Sequence, residues 1–318
     1  MSIINTDINN AIEILLQDDV IGFPTETVYG LAGNIFSEKA IDKIYSIKKR
    51  PSFNPLIVHL HSVQQLSAIA KNIPEMAFDL AEYFWPGPLT LILEKQDIIS
   101  NKITANKNTV AVRIPNHPLA LSLLQKIPFP LAAPSANPFK SVSPTAAQHV
   151  YHYFKDEIKY ILDGGDCENG IESTIIGFKN EIPVLYRHGA VSIESIEKVA
   201  GKVSIITNNE TNPDAPGMLL KHYSPRTKLI VTDNIFEVIE SNHHQKIGLI
   251  TFYKEIISPS VKHQIILSEN KDFEEAARNL YAALHELDKM NLDIIITERF
   301  PEENLGRSIN DRLIRAAC

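Results

Sequence analysis

Cysteine is scarce: Cys167 and Cys318 are the two in 318 residues, too few for a disulfide framework or a cysteine zinc site. No run approaches the ~18 consecutive apolar residues of a membrane-spanning helix. Residues 1–20 carry acidic side chains and lack a basic start, which argues against a secretory signal. A soluble, cytoplasmic protein without a membrane partner is the expectation. The thirteen glycines form neither G-x-x-x-x-G-K-[ST] nor G-x-G-x-x-G, and the Gly201-Lys202 pair has no partner glycine at the right distance. Eleven histidines are scattered, with no His-Glu-x-x-His and no tight His/Cys group, so no protein-bound metal is expected. Net positive charge is missing too. The balance is -7, divided as -3 over residues 1–207 and -4 beyond, which serves bulk binding of nucleic acid poorly. Any phosphate would have to be met by side-chain cations and hydroxyls.

What is present is ordinary globular composition, 44% hydrophobic and 22% charged, in a chain long enough for two domains of ~100–200 residues. Ile8, Ala11, Ile12, Leu15 and Leu16 predict one face of a helix within residues 6–18, and residues 20–23 a strand ended by Pro24. Ser37 predicts the N-cap of a helix holding Ile41, Ile44, Tyr45 and Ile47; Ser62 with Gln65 has capping-box spacing for another. Pro86-Gly87-Pro88 should stop a helix over 75–85. Strands are predicted over 56–60, 89–94, 110–114 and 131–133, with Pro118 and Pro144 in first helical turns. Residues 160–186 read as strand broken at Asp163-Gly164-Gly165. Interleaved strands and helices predict an α/β domain. Turn-rich residues 207–217 then read as linker, before strands at 229–232, 247–252, 264–267 and 293–297 alternating with helices at 235–241, 273–290 and 304–317.

Polar segments at predicted strand ends are the candidate site, since α/β folds bind ligands there. Each has a structural explanation when taken alone. Thr25 and Thr27 suit a turn after Pro24, and Asn54-Pro55 favours a turn wherever it occurs. His59 lies within an apolar strand, and Arg113 suits pairing with a nearby carboxylate. Lys43, Lys48, Lys49 and Arg50 crowd into eight residues, which fits a helix end as well as an anion site.

Taken in order, these segments resemble the YrdC/Sua5 family of threonylcarbamoyl-AMP synthases. The matching runs are Phe23-Pro24-Thr25-Glu26-Thr27-Val28-Tyr29-Gly30-Leu31, Lys48-x-Arg50-Pro51 with Asn54-Pro55-Leu56 and His59, Ser135-Ala136-Asn137, Ser143-Pro144-Thr145, and Glu172-Ser173-Thr174. Pro216-Gly217-Met218 with His222-Tyr223-Ser224-Pro225 is similar to the linker of the long, two-domain Sua5 form. The resemblance runs over nearly the whole chain. It implies a twisted open-sheet YrdC-like catalytic domain over 1–204, a linker or lid over 205–228, and a small Rossmann-like, doubly wound C-terminal domain over 229–318.

The implied reaction joins L-threonine, bicarbonate and ATP, with Mg²⁺, into threonylcarbamoyl-AMP and pyrophosphate. This nucleotidyltransferase step is the first in forming N6-threonylcarbamoyladenosine at position 37 of tRNAs reading ANN codons. A separate threonylcarbamoyl-transferase complex is the implied downstream partner, and tRNA an indirect one. The resemblance assigns catalysis to Lys48 and Arg50. It puts Arg50, Asn54, Thr109, Ser135, Asn137, Ser143, Arg187 and Tyr223 around ATP, and Thr27, His59, Arg113, Ser173 and the backbone at Ala133 around threonine. Arg as a planar fork and Lys as a mobile point charge suit the charge that gathers on phosphate during in-line attack. Lys49 and Lys140 stand where the family commonly has glycine, and His188 where proline is frequent.

Two other classes compete. An RNA-binding or ribosome-associated module would use the Lys43–Arg50 cluster but leaves Thr27, Arg113 and Ser173 without purpose. A carbamoyl transferase like the larger hydrogenase-maturation proteins needs cysteine-rich zinc fingers, and two cysteines cannot build them.

Overall fold

The computed structural model describes residues 2–206, 216–218 and 222–318; residues 207–215 and 219–221, half of the expected linker over 205–228, lie outside the described residues. Twelve strands before the linker form one mixed sheet. They are β1 (Ile3–Asn5), β2 (Ile21–Phe23), β3 (Gly30–Asn34), β4 (Ile57–His59), β5 (Ala70–Lys71) and β6 (Leu89–Lys95). Then come β7 (Thr109–Arg113), β8 (Leu131–Ala132), β9 (Tyr160–Leu162), β10 (Thr174–Lys179), β11 (Ile182–Arg187) and β12 (Ser204–Ile205). Their order is β1-β9-β2-β3-β8-β4-β7-β6-β10-β11-β12, with β5 beside β6.

Local chemistry explains most elements. Ser37 accepts the Ala40 N–H at 3.2 Å and caps the helix Glu38–Lys48, as its spacing predicts. Pro118 opens the helix Pro118–Lys126. Pro144 does not open one: the next helix begins at Ala147, and the Pro144 carbonyl instead accepts the Tyr29 N–H at 2.8 Å. Ser62 makes no cap either, because Gln65 Oε1 turns back to the His61 N–H, and a short 3₁₀ turn precedes the helix Leu66–Ile69. The strands β1 and β3 were not legible. The first is three residues long, and Gly30-Leu31-Ala32-Gly33-Asn34 lacks β-branched residues. Its small residues are required by packing, since a Cβ on Gly33 would stand 3.1 Å from that of Ala40.

A second sheet holds β13 (Lys228–Thr232), β14 (Ile247–Thr251), β15 (Val261–Ile266) and β16 (Ile294–Glu298), all parallel in the order β13-β16-β14-β15. The helix Phe273–Leu287 buries eight residues, among them Ala276, Leu280, Tyr281, Leu284 and His285, a burial wider than one amphipathic stripe. The reason is that it packs on two sides. Val28, Val142, Ile171 and Tyr223 share one apolar cluster with Leu280, Tyr281, Leu284, Ile309 and Leu313. Burying that cluster ties the second sheet to the segments that carry the motifs.

Candidate active site

Parallel pairing sets the floor of the site. The register Ile57 with Ala111 and His59 with Arg113 puts these four side chains on one face of β4 and β7. Ile92, Ile175 and Met218 join Ile57 and Ala111 in an apolar patch there. The strand β2 runs opposite to β4, through the antiparallel pairs β2–β3, β3–β8 and β8–β4. The site is therefore not a row of C-terminal strand ends, as a parallel sheet would make it. Residues 24–29 instead reach the sheet face, where Thr27 Oγ1 meets Arg113 Nη1 at 3.2 Å.

The resulting cavity is lined by Thr27, Arg50, His59, Arg113, Ala133, Ser135, Ser173, Arg187 and Tyr223 of the expected residues. Pro216, Gly217 and His222 close its other side, with Glu172 between Ser173 and the C-terminal helix. The remaining expected residues do not line it. Thr109 shares a face of β7 with Ala111 and Arg113 but sits at the far end of the strand, opposite Glu94. Asn54, Asn137 and Ser143 are buried behind the wall. Ser143 donates its hydroxyl to Glu172 Oε1 at 2.6 Å, and Asn137 Nδ2 holds the Ser141 carbonyl at 2.8 Å. Asn54 fixes Arg50 through its carbonyl and Oδ1.

Lys48 departs most from expectation. It is 1% exposed, and its ammonium donates to the carbonyls of Ser135 and Asn137. Burial, with Arg50 nearby, holds its pKa well below the usual lysine range. It is a strut for the Ser135–Asn137 turn, not a mobile charge in the cavity. On the expectation that this side of the cavity takes ATP, Lys48→Met should lower kcat/KM for ATP about tenfold by releasing that turn, as removal of a hydrogen-bonded charge of ~1.5–3 kcal/mol implies. Nucleotide affinity measured beside threonine affinity checks this, since only the former should fall.

The basic cluster dissolves in three dimensions. Lys48 and Arg50 are buried and Lys43 pairs with Asp19, so the cluster presents no joint surface for an RNA backbone. Lys49 and Lys140 hold φ of 52° and 75°. Both keep the left-handed backbone that favours glycine, at a cost of ~1–2 kcal/mol each, so the loops retain their course.

Two buried ion pairs organise the walls. Arg113, 2% exposed, donates to Glu26 Oε2 at 2.9 Å, while Arg113 Nε and Glu26 Oε1 have no partner. Burial and Arg113 together keep His59 neutral, its pKa held well below the usual range, with Nδ1 unpartnered. Unmatched polar atoms on the cavity-lining Arg113 and His59 mark where a ligand's polar groups complete the network. Arg187 donates to the Ser173 carbonyl at 2.8 Å and hydroxyl at 3.1 Å, and to the Pro216 carbonyl at 3.1 Å. Tyr223 is buried at φ 64° with its hydroxyl unpartnered.

The second pair joins Glu172 to Arg312 at 2.8 Å. Burial raises the Glu172 pKa, but Arg312, Arg187 and the Ser143 hydroxyl outweigh it and bring the value from 4.5 to about 2. A depressed folded-state value stabilises the fold above the unfolded pKa and is lost as pH falls toward about 2. The span corresponds to roughly 3 kcal/mol. Glu172→Gln should therefore flatten the loss of Tm between pH 5 and 2, which thermal unfolding across that range would check.

Glu26, Glu172 and His222 were not singled out by sequence. Their motifs contain them, but only contact with Arg113, Arg312 and the cavity shows their use.

A family model for Sua5, YciO and YrdC proteins, described as telomere recombination, matches residues 13–189. A second, described as threonylcarbamoyl-AMP synthase, C-terminal domain, matches residues 191–318. The threonylcarbamoyl-AMP synthase of Pyrococcus abyssi is 39% identical over 95% of this chain and 91% of its own. That of Bacillus subtilis is 39% identical over 98% and 92%. The crystal structure of P. abyssi Sua5 complexed with L-threonine matches with a TM-score of 0.93 at 38% identity, covering 99% of this chain and 98% of that one.

Proposed function

Since the chain belongs to the YrdC/Sua5 family of threonylcarbamoyl-AMP synthases, we propose that its cavity binds L-threonine and ATP side by side and joins them through bicarbonate. The protein is an enzyme of the adenylyl-transferring class. The observation that carries the site reading is the convergence of Thr27, His59, Arg113, Ser173, Arg50, Ser135, Arg187 and Tyr223 on one cavity from seven separate segments.

Threonine's amine takes up CO₂ from bicarbonate to give a carbamate. A carbamate oxygen then attacks the α-phosphorus of ATP as the bond to pyrophosphate breaks. The chain's contribution is placement and charge. Arg113, its plane set by Glu26 and Thr27, takes the amino acid's carboxylate. His59 offers a neutral ring nitrogen, and Ser173 a hydroxyl to read the substrate's own; a site that hydrogen-bonds a hydroxyl rejects analogues lacking it. Arg50 and Arg187 face the phosphates, with Lys48 holding Ser135 in reach of them. Tyr223, Pro216 and Gly217 cover the cavity and exclude water from the mixed anhydride.

Mg²⁺ enters with ATP as part of the substrate. Glu172, which lines the cavity, and Glu26 behind Arg113 are both engaged by arginines, so the ATP phosphates are its main ligands. The product supplies a transferase that modifies tRNA adenosine.

Pyrophosphate release by purified protein, with ATP, Mg²⁺ and bicarbonate, tests the reading. Release should require L-threonine and fall sharply with serine or glycine. A folded protein that binds ATP yet releases no threonine-dependent pyrophosphate would refute it.

A further inference from the structure

The helix Gly306–Ala317 brings to the back of the cavity wall an arginine that no motif contains. Arg312 is fully buried. Its Nε donates to Glu172 Oε2 and its Nη2 to the His188 carbonyl, each at 2.8 Å, while Nη1 donates to Asp311 Oδ2 at 2.6 Å. The guanidinium carbon lies 4.9 Å from the centre of the Tyr223 ring, within cation–π range. Tyr281 stacks near that ring at 5.7 Å and donates its hydroxyl to Glu172 Oε2 at 3.0 Å. Glu172 precedes Ser173, His188 follows Arg187, and Tyr223 lines the cavity. One side chain from the end of the chain thus touches three segments of the wall.

The carboxylate is the reason this matters. Glu172 lines the cavity that Arg187 also lines. A buried carboxylate that lost its ion-pair partner, with the Ser143 and Tyr281 hydroxyls left to it, would recruit a remaining arginine, since an unpaired charge is strongly unfavourable there. Arg187 would then be withdrawn from an incoming phosphate. Arg312 satisfies Glu172 from outside the cavity, and the same guanidinium supports the tyrosine ring.

We propose that Arg312 is a positioning residue for the synthase reaction, acting through Glu172, His188 and Tyr223 to keep Arg187 and the tyrosine ring available to the nucleotide. The inference rests on the ATP-binding reading above. It gives the C-terminal region an electrostatic part in nucleotide binding, through Glu172, beyond tethering the cover of the cavity.

The test compares wild type, Arg312→Met, Glu172→Gln and the double variant, with ATP·Mg²⁺ and L-threonine affinities measured separately by calorimetry alongside pyrophosphate release. Arg312→Met should weaken ATP at least tenfold, in both Kd and KM, and leave threonine affinity without nucleotide within about twofold. Adding Glu172→Gln should return ATP affinity to within about threefold of wild type, because the competing charge is gone and only the His188 and Tyr223 contacts of Arg312 stay lost. A general structural defect would weaken both ligands alike and would not be relieved by a second substitution; either result overturns the proposal, as does unchanged ATP affinity in Arg312→Met. Should Arg312→Met fail to fold, the double variant, with a neutral pair in place of the ion pair, decides alone: near-normal ATP affinity supports the proposal and a tenfold loss overturns it. Wild-type protein that binds neither substrate would instead overturn the reading beneath it.

Discussion

Replacing Arg113 by methionine should abolish threonine-dependent synthesis and destabilise the fold at the same time. The guanidinium is assigned to the amino acid's carboxylate, and losing two charge-assisted hydrogen bonds of ~1.5–3 kcal/mol each implies about 10³-fold in kcat/KM for threonine. The same substitution strands Glu26, which is 2% exposed and has Arg113 as its ion-pair partner. Removing one partner of a buried pair costs about 3–5 kcal/mol, whereas removing both is often close to neutral. The two effects therefore separate in the double variant Arg113→Met/Glu26→Gln, which should recover most of the stability and none of the activity. Urea unfolding reads the first and threonine calorimetry the second. Threonine affinity within threefold of wild type in the single variant would end the assignment of Arg113.

Arg50→Ala is the counterpart on the nucleotide side. Arg50 Nε and Nη2 are engaged by the Asn54 carbonyl, Asn54 Oδ1 and the Pro55 carbonyl, which leaves Nη1 for the phosphates. Burial lowers its pKa to about 10, so the guanidinium stays charged at neutral pH and is poorly screened. Losing it should reduce kcat/KM for ATP about a hundredfold or more, since the proposed binding mode puts its charge where phosphate charge develops. No carboxylate is left unpaired, so stability should fall less than in Arg113→Met. Arg50→Lys should not rescue turnover, because an ammonium cannot reproduce the planar fork that holds Asn54 and Pro55 while reaching a ligand. Full turnover in the lysine variant would reduce the role of Arg50 to charge alone.

The reasons some residues were legible and others not are visible in these two arginines. Lys48 and Arg50 stand two positions apart in one basic run, and both read as phosphate ligands. The helix Glu38–Lys48 ends in Lys49 at φ 52°, and beyond that reversal the two side chains meet different partners. Lys48 finds carbonyls 87 and 89 residues away, and Arg50 turns onto its own loop four and five residues on. Asn54, Asn137 and Ser143 show the same limit. Their polar groups read as ligands, yet in the structure their bonds shape the wall that the ligand side chains line.

The amino-acid order by itself determined the alternation of strands and helices, the cap at Ser37 and the helix start at Pro118, and the set of polar segments from which the cavity is made. Those follow from period, turn chemistry and capping, which act over a few residues. The tertiary structure alone decided which cation faces the cavity and which braces it, that the site lies across a sheet face because β2 and β4 run in opposite directions, and that Arg312 reaches Glu172 across 140 residues of chain. A buried charge must find a partner wherever the fold supplies one, and that choice depends on burial and long-range register, neither of which is written in local sequence.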